Sequence, residues 1–335
     1  MNIVFAHFYT PVPSYLKLNL QRSVDLFPNH SVFLVTDDIK FKLEIANLNV
    51  HLYRSTDIWR KLEQNLQHPR QFRSNFWFTS LARFIALADF CEKFPGNLLH
   101  IESDVIISED FPFGLLSEND YEFQFPIVGE DRAIASVMYL KNLEAATYLS
   151  SLSQSEALMD PMTTDMKVLK KLTNLRSRDF FPLPTSPSQP DALPNVKTEF
   201  LKKNTLSLNY FHGVFDGFDL GRYLFGEDPR NNRGFSKVRC DDPNAYLKGS
   251  KLDFSLDSSR KFPYVYDETS KSRIPIYALH IHCKKPGFFV PELSVDLFRK
   301  AIKVSKNLPA RKFYFLVFLK SLRLALARRI KRVYG

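Results

Sequence analysis

Along the first hundred residues the apolar positions switch between a period of two and a period of three to four, and this alternation predicts the architecture. Ile3 to Phe8 reads as a strand, Tyr15 to Leu26 as a helix, and Ser31 to Thr36 as a second strand ending at Asp37-Asp38. His51 to Tyr53 forms a short third strand. Phe76 to Phe94 places Phe76, Leu81, Phe84, Leu87, Ala88 and Cys91 at helical spacing, and Pro95-Gly96 stops that helix before a strand running from Leu98 to Ile107. Such strand–helix alternation predicts an α/β fold, a mostly parallel sheet flanked by helices. The second half is less regular. Ile134 to Leu140 reads as a strand, Asp165 to Leu172 as a helix, and Phe181 to Asn195, with five prolines, as a surface loop.

One strand breaks its own pattern. Leu98 to Ile107 is apolar except where it carries Glu102 and Asp104, two carboxylates one residue apart. An unpaired buried carboxylate costs several kcal/mol, so a fold that places two there supplies a cation. Residues i and i+2 of a strand share a face, so one ion can meet both. Oxygen ligands suit Mn2+ or Mg2+, ions that neutralise a departing diphosphate. The alternative is that Ser103 and Asp104 open a turn at the end of a buried strand. Ligands of open α/β sheets bind at the carboxyl ends of the strands, where Thr10, Asp37, Asp38, Glu102 and Asp104 all fall.

Composition narrows the class. The chain has 335 residues, 44% of them hydrophobic, with 31 phenylalanines, enough for one large core. Glycines number 11, and neither GxGxxG nor GxxxxGK[ST] occurs, which argues against dinucleotide-binding and P-loop readings. Cys91, Cys240 and Cys283 are widely spaced and odd in number, so they suggest neither a disulfide framework nor a zinc site and fit a reducing, cytoplasmic compartment. No apolar window reaches roughly 18 residues, which argues against a membrane span. Net charge is +10, yet Arg311, Lys312, Lys320, Arg323, Arg328, Arg329, Lys331 and Arg332 cluster near the C-terminus with no acid among them. The body is thus nearly neutral, which argues against a nucleic-acid-binding core and for a basic C-terminal appendage.

Late in the chain stands His280-Ile281-His282-Cys283-Lys284-Lys285. If Tyr277 to His282 is a strand, His280, His282 and Lys284 point the same way. A histidine nitrogen could complete an ion's coordination, and the lysine could hold phosphate oxygens. The plainer reading is a pair of surface histidines beside a basic turn.

Together with Thr79-Ser80-Leu81-Ala82-Arg83-Phe84 and Leu99-His100-Ile101-Glu102-Ser103-Asp104-Val105, this segment resembles the GT-A glycosyltransferases, nucleotide-sugar-dependent enzymes related to bacterial galactosyl- and glycogenin-type transferases. The likeness covers roughly residues 1 to 290. It implies a GT-A fold over 1–295; the pattern of apolar and basic residues beyond reads as a basic amphipathic helix and tail over 296–335. It implies that Glu102 and Asp104 act as the DxD pair, with Glu at the first position as a departure that makes Asp104 the surer metal ligand. It also implies that Arg83 contacts the donor's sugar or phosphate, with Thr10, Asp37, Glu102 and Lys284 on the donor side. His280 and His282 are both candidate metal ligands, and Mn2+ or Mg2+ is the implied cofactor.

Thr163-Thr164-Asp165-Met166 resembles the acidic motif beside the sugar in many such enzymes, which makes Asp165 a catalytic candidate with Lys284; equally, Thr164 or Asp165 could simply cap a helix. Asp216, Asp219 and Arg222 lie in a run of Gly, Asp, Arg and aromatics suited to acceptor sugars, with Asp216 as a cap the alternative. The expected activity is transfer of a sugar from a UDP-linked donor to a hydroxyl acceptor, a glycan or lipid-linked glycan of the cell envelope. Residues 311–335 read as an interfacial helix drawn to the anionic inner face of the membrane, or else as a helix packed on the body. A sugar-phosphate nucleotidyltransferase and a non-catalytic membrane-surface adaptor are the rival classes.

Overall fold

The computed structural model describes residues 1–8, 11–37, 42, 45–55, 76–187, 198–226, 241, 245–256 and 260–307. Its first half builds β1 (Asn2–Ala6), α1 (Ser14–Leu26), β2 (Ser31–Thr36), β3 (His51–Arg54), α2 (Phe76–Lys93), β4 (Leu98–Ile101), β5 (Val105–Ile107), α3 (Phe113–Glu118), β6 (Phe123–Pro126) and β7 (Val137–Leu140). There follow α4 (Leu143–Met159), α5 (Asp165–Leu175), β8 (Phe180–Leu183), α6 (Thr198–Phe211), β9 (Val214–Phe215), α7 (Asp219–Phe225), β10 (Asp253–Ser255), β11 (Tyr264–Asp267), β12 (Ser272–His280) and α8 (Pro291–Asn307).

Seven strands form the central sheet in the order β3-β2-β1-β4-β7-β6-β8. β1 runs parallel to β2 and β4, and β2 to β3, while β7 is antiparallel to both β4 and β6. The sheet is therefore mainly parallel, as the alternation predicts. Its strands are continuous apolar runs because both faces are covered. Ile3 and Phe5 join Leu16 and Leu20 of α1 on one face, and Val4 joins Phe84 of α2 and Leu149 of α4 on the other. No helix among the described residues is long and apolar enough to cross a membrane.

Three local expectations are corrected. The run from Leu98 to Ile107 is not one strand: residues 102–104 turn, closed by the Val105 N–H donating to Glu102 O at 3.0 Å, and β5 enters a second sheet. Two carboxylates and a serine end the apolar run there. The proline-rich loop begins as strand β8, because Phe180 and Phe181 have core to fill and Pro182 sits on an edge strand that tolerates a missing N–H; residues 188–195 lie outside the described residues. The strand expected over Tyr277 to His282 is instead Ser272–His280, so His282 and Lys284 lie beyond its end.

The second sheet orders β10-β11-β12-β5, with β9 beside β12. β12 pairs antiparallel with β5, placing His280 opposite Val105 and Ala278 opposite Ile107. α8 closes this half through Phe298, Ala301 and Ile302, packed with Phe225, Phe262 and Phe288. The boundary drawn at 295/296 thus falls inside a helix that packs on the body. Residues 311–335 lie outside the described residues.

Candidate functional site

At the carboxyl edge of the parallel strands, the 102–104 turn hands the chain from one sheet to the other, and its backbone is fastened from three sides. Asn19 of α1 donates its side-chain amide to Ser103 O at 3.2 Å and Val105 O at 2.7 Å. The Glu102 N–H donates to Ser136 O at 3.0 Å, and the Ile281 N–H to Asp104 O at 2.7 Å. Asn19 escaped the sequence reading. The signal was available: it lies on the buried stripe of α1 with Leu16, Leu20 and Ser23, where a polar side chain must find partners.

Around Asp104 the charges alternate. His280 Nε2 lies 3.2 Å from Asp104 Oδ1 and 3.8 Å from Glu102 Oε2, and Lys284 Nζ lies 3.1 Å from Asp104 Oδ2. Burial alone would raise the Asp104 pKa, and Lys284 and His280 overcome it, holding the carboxyl well below the usual range. Burial would likewise lower the His280 pKa, but Asp104, Glu102 and the Gly217 carbonyl push it up to about 9. The His280 Nδ1–H donates to Gly217 O at 2.9 Å, which fixes the ring with Nε2 toward the carboxylates. Lys284 adopts a left-handed backbone with φ 49° at the bend that returns its ammonium to the site, 5.6 Å from the Tyr15 ring centroid.

The two histidines have different tasks. Their rings stack with centroids 4.0 Å apart, and His282 bonds through Nε2 to Phe218 O at 3.1 Å. Burial and the neighbouring His280 charge hold its pKa well below 6.5, so His282 is neutral and donates. Among the described residues, the group whose ligand atoms lie within 4.8 Å of one another is Glu102, Asp104 and His280. Two carboxylates and one imidazole nitrogen fit Mn2+, which accepts mixed oxygen and nitrogen donors, and are compatible with Mg2+. His282, also expected as a ligand, stacks behind His280 outside that group.

Arg83 stands between two acids of the site. Its guanidinium spans two acids, donating to Glu102 with one nitrogen and to Asp165 with another, while Nε donates to Ser80 O at 3.0 Å. Burial would lower the Arg83 pKa, and the two acids raise it. Asp165 opens α5, whose cap is Thr164, accepting from the Lys167 N–H at 3.3 Å. Burial raises the Asp165 pKa against the pull of Arg83. Arg83 thus fixes the spacing of Glu102 and Asp165 from inside.

The remaining candidates scatter. Asp37 follows β2 at the same sheet edge, with its carbonyl accepting from Arg54 Nε at 3.1 Å; Thr10 and Asp38 lie outside the described residues. Asp216 is 1% exposed and accepts the N–H groups of Leu220, Gly221 and His280 at 3.0, 2.7 and 3.1 Å. Three backbone donors make it a scaffold for the start of α7 and the end of β12, in line with the capping alternative. Asp219 and Arg222 lie on α7, whose Gly221 packs so closely that a Cβ there would stand 1.8 Å from His280 O.

No protein-family model and no curated protein matches the chain. Among solved structures it is similar to the galactosyltransferase LgtC in complex with donor and acceptor sugar analogs, at 16% identity and TM-score 0.42 over 61% of this chain and 83% of that one. It is similar to mouse xyloside xylosyltransferase 1, at 12% identity and TM-score 0.37 over 63% and 94%. A cytidylyltransferase from Leptospira borgpetersenii serovar Hardjo-bovis aligns at 13% identity and TM-score 0.33 over 55% and 75%. At this distance the residues themselves must carry the functional reading.

Proposed function

We propose that the chain is a metal-dependent glycosyltransferase that moves a sugar from a nucleoside diphosphate donor, UDP-linked, to a hydroxyl acceptor. The observation that carries this reading is the convergence of Glu102, Asp104 and His280 at the strand ends, with Lys284 beside Asp104. Those three residues would hold Mn2+ or Mg2+, which when bound supplies positive charge to the departing diphosphate. Lys284 adds a second cation on the same side, where charge grows as the glycosidic bond to the donor breaks. Arg83 keeps Glu102 and Asp165 in register, so that the acid for the metal and the acid for the sugar hold a fixed separation. Asp165 faces the reacting sugar and orients it or takes the acceptor proton. Asp37 and Thr10 belong to the nucleoside side, and Asp219 and Arg222 to the acceptor side. The basic 311–335 segment holds the enzyme at an anionic membrane surface, where a lipid-linked glycan would present the hydroxyl.

Asp104→Asn removes one charge at nearly constant size. It should weaken binding of UDP with Mn2+ on the order of a hundredfold, the scale of losing a supporting group at a metal site or more, while melting stays cooperative. Calorimetric titration that finds unchanged affinity overturns the metal assignment. Lys284→Ala should lower turnover far more than it lowers the melting temperature, and an equal loss of both would make Lys284 structural.

A further inference from the structure

β5 is the last strand of its sheet, so its pairing is one-sided. The Ile281 N–H donates to Asp104 O at 2.7 Å and the Ser108 N–H to Tyr277 O at 2.9 Å, a register that turns the main-chain groups of residues 104, 106 and 108 toward β12. The carbonyls of Val105 and Ile107 therefore point to the opposite edge, where no strand of the sheet runs. Buried carbonyls without partners are costly, and α1 supplies the partners from its side chains. Asn19 donates both hydrogens of its amide, to Ser103 O at 3.2 Å and to Val105 O at 2.7 Å. Further along the same stripe, Arg22 Nη2 donates to Ile107 O at 3.3 Å. Asn19 is 1% exposed, so water does not compete for its amide.

The two carbonyls that Asn19 holds belong to the residues on either side of Asp104. The carbonyl of Asp104 itself is held from the other side, by the residue after His280. The main chain that carries this carboxylate is thus gripped by α1 and β12 at once. Asn19 is in turn well seated: Ser23 Oγ donates to its carbonyl at 2.9 Å, and Leu16 and Leu20 beside it are fully buried. Rigidity of this kind has a chemical consequence for an ion. Mg2+ demands near-ideal octahedral geometry at about 2.0–2.1 Å, and Mn2+ in oxygen sites takes the same form, whereas Ca2+ accepts roughly six to eight oxygens at about 2.3–2.6 Å in irregular arrangements. A carboxylate with a fixed origin suits the first two, and one that can give way suits the third.

We propose that Asn19 is a positioning residue which, by pinning the main chain on both sides of Asp104, makes the site select Mn2+ or Mg2+ over Ca2+. The inference deepens the transferase reading and rests on it for the metal site.

The test titrates the full chain with Mn2+ alone, followed by the paramagnetic resonance of the unbound ion, with Mg2+ and Ca2+ as competitors. Asn19→Ala should weaken Mn2+ and Mg2+ on the order of tenfold, the scale of losing a group that orients a ligand, and Ca2+ far less, so the Mn2+-to-Ca2+ affinity ratio falls. Asn19→Gln keeps both donors but sets them one methylene further from the helix; the same ratio should fall with a smaller loss of melting temperature, which answers the question if the alanine chain does not fold. Leu20→Ala, a core truncation in the same helix, should lower the melting temperature and leave the ratio alone. An unchanged ratio in a folded Asn19 variant overturns the proposal. So does a ratio that falls equally in Leu20→Ala, which would make general loosening of α1 the cause. Asp104→Asn separates the two ideas. Mn2+ affinity that this variant leaves unchanged removes the metal site, and both readings with it; affinity that depends on Asp104 while the ratio ignores Asn19 removes the positioning role and keeps the transferase reading.

Discussion

His100 stands two residues before Glu102 with its ring inside the sheet, its Nδ1–H donating to Val4 O at 3.1 Å. Burial and the adjacent Arg83 charge depress its pKa to about 3, against the smaller opposing effect of that hydrogen bond. Above pH 6.5 neither the folded nor the unfolded chain protonates this ring. Below 6.5 the unfolded chain does and the folded chain does not, so stability should fall by about 1.4 kcal/mol per pH unit from this residue. His280 acts with the opposite sign: its raised pKa stabilises the metal-free fold fully below 6.5 and is lost as pH rises through about 9. Denaturant titrations across this range should therefore show stability declining on both sides, with His100→Asn flattening the acid limb and His280→Gln the alkaline one. A variant whose limb keeps its slope refutes the assignment for that residue. Burial also pushes the Cys91 thiol up to about 12, so mapped labelling of the native protein at pH 8 should leave Cys91 unmodified. The acids were legible in the sequence because charge inside an apolar run is conspicuous. The bridge from Arg83 to Asp165 was not, since it joins residues far apart in the chain through a geometry no spacing encodes.

Among the elements, α7 is the one whose packing most directly sets the site. Gly221 lets its backbone rest against His280 O, and the atom a Cβ would strike is main chain, which cannot swing away. Gly221→Ala should cost about 1–3 kcal/mol through overpacking and should displace His280 as well. Its melting temperature and its Mn2+ affinity should fall together, and a variant that melts early but binds Mn2+ normally would show that β12 holds its end without α7. The strands and helices of the first half were readable because each carries its own period and covers its neighbour. The break at 102–104 was misread as continuity because both halves of the run are apolar. Only the choice of partner, β1 and β7 for one and β12 for the other, separates them. Strands β9 to β11 were invisible for the same reason, and β12 was read only at its carboxyl end: short segments paired by register leave little trace in local composition.

For the molecule as a whole, α8 belongs to the packed body, since Phe298 is fully buried. A chain ending at Pro309 keeps that helix and removes all eight bases of 311–335, so it should fold, bind UDP with Mn2+ normally, and sediment less with anionic vesicles at low salt. An insoluble product would place the missing segment in the core. The crossing of the chain at 102–104 also bears on how the protein assembles. The central sheet draws its strands from residues up to Leu183 and can collapse on local and middle-range contacts, but β5 waits for β12 near the other end of the chain. Pairings so distant close late, because the loop entropy must be overcome before the contact repays it. During synthesis Glu102 and Asp104 leave the ribosome long before His280 and Lys284, so a nascent chain carries its acids without their counter-charges. In refolding followed by stopped flow, nucleotide–Mn2+ binding should accordingly appear with the slowest phase, after the helical signal is complete.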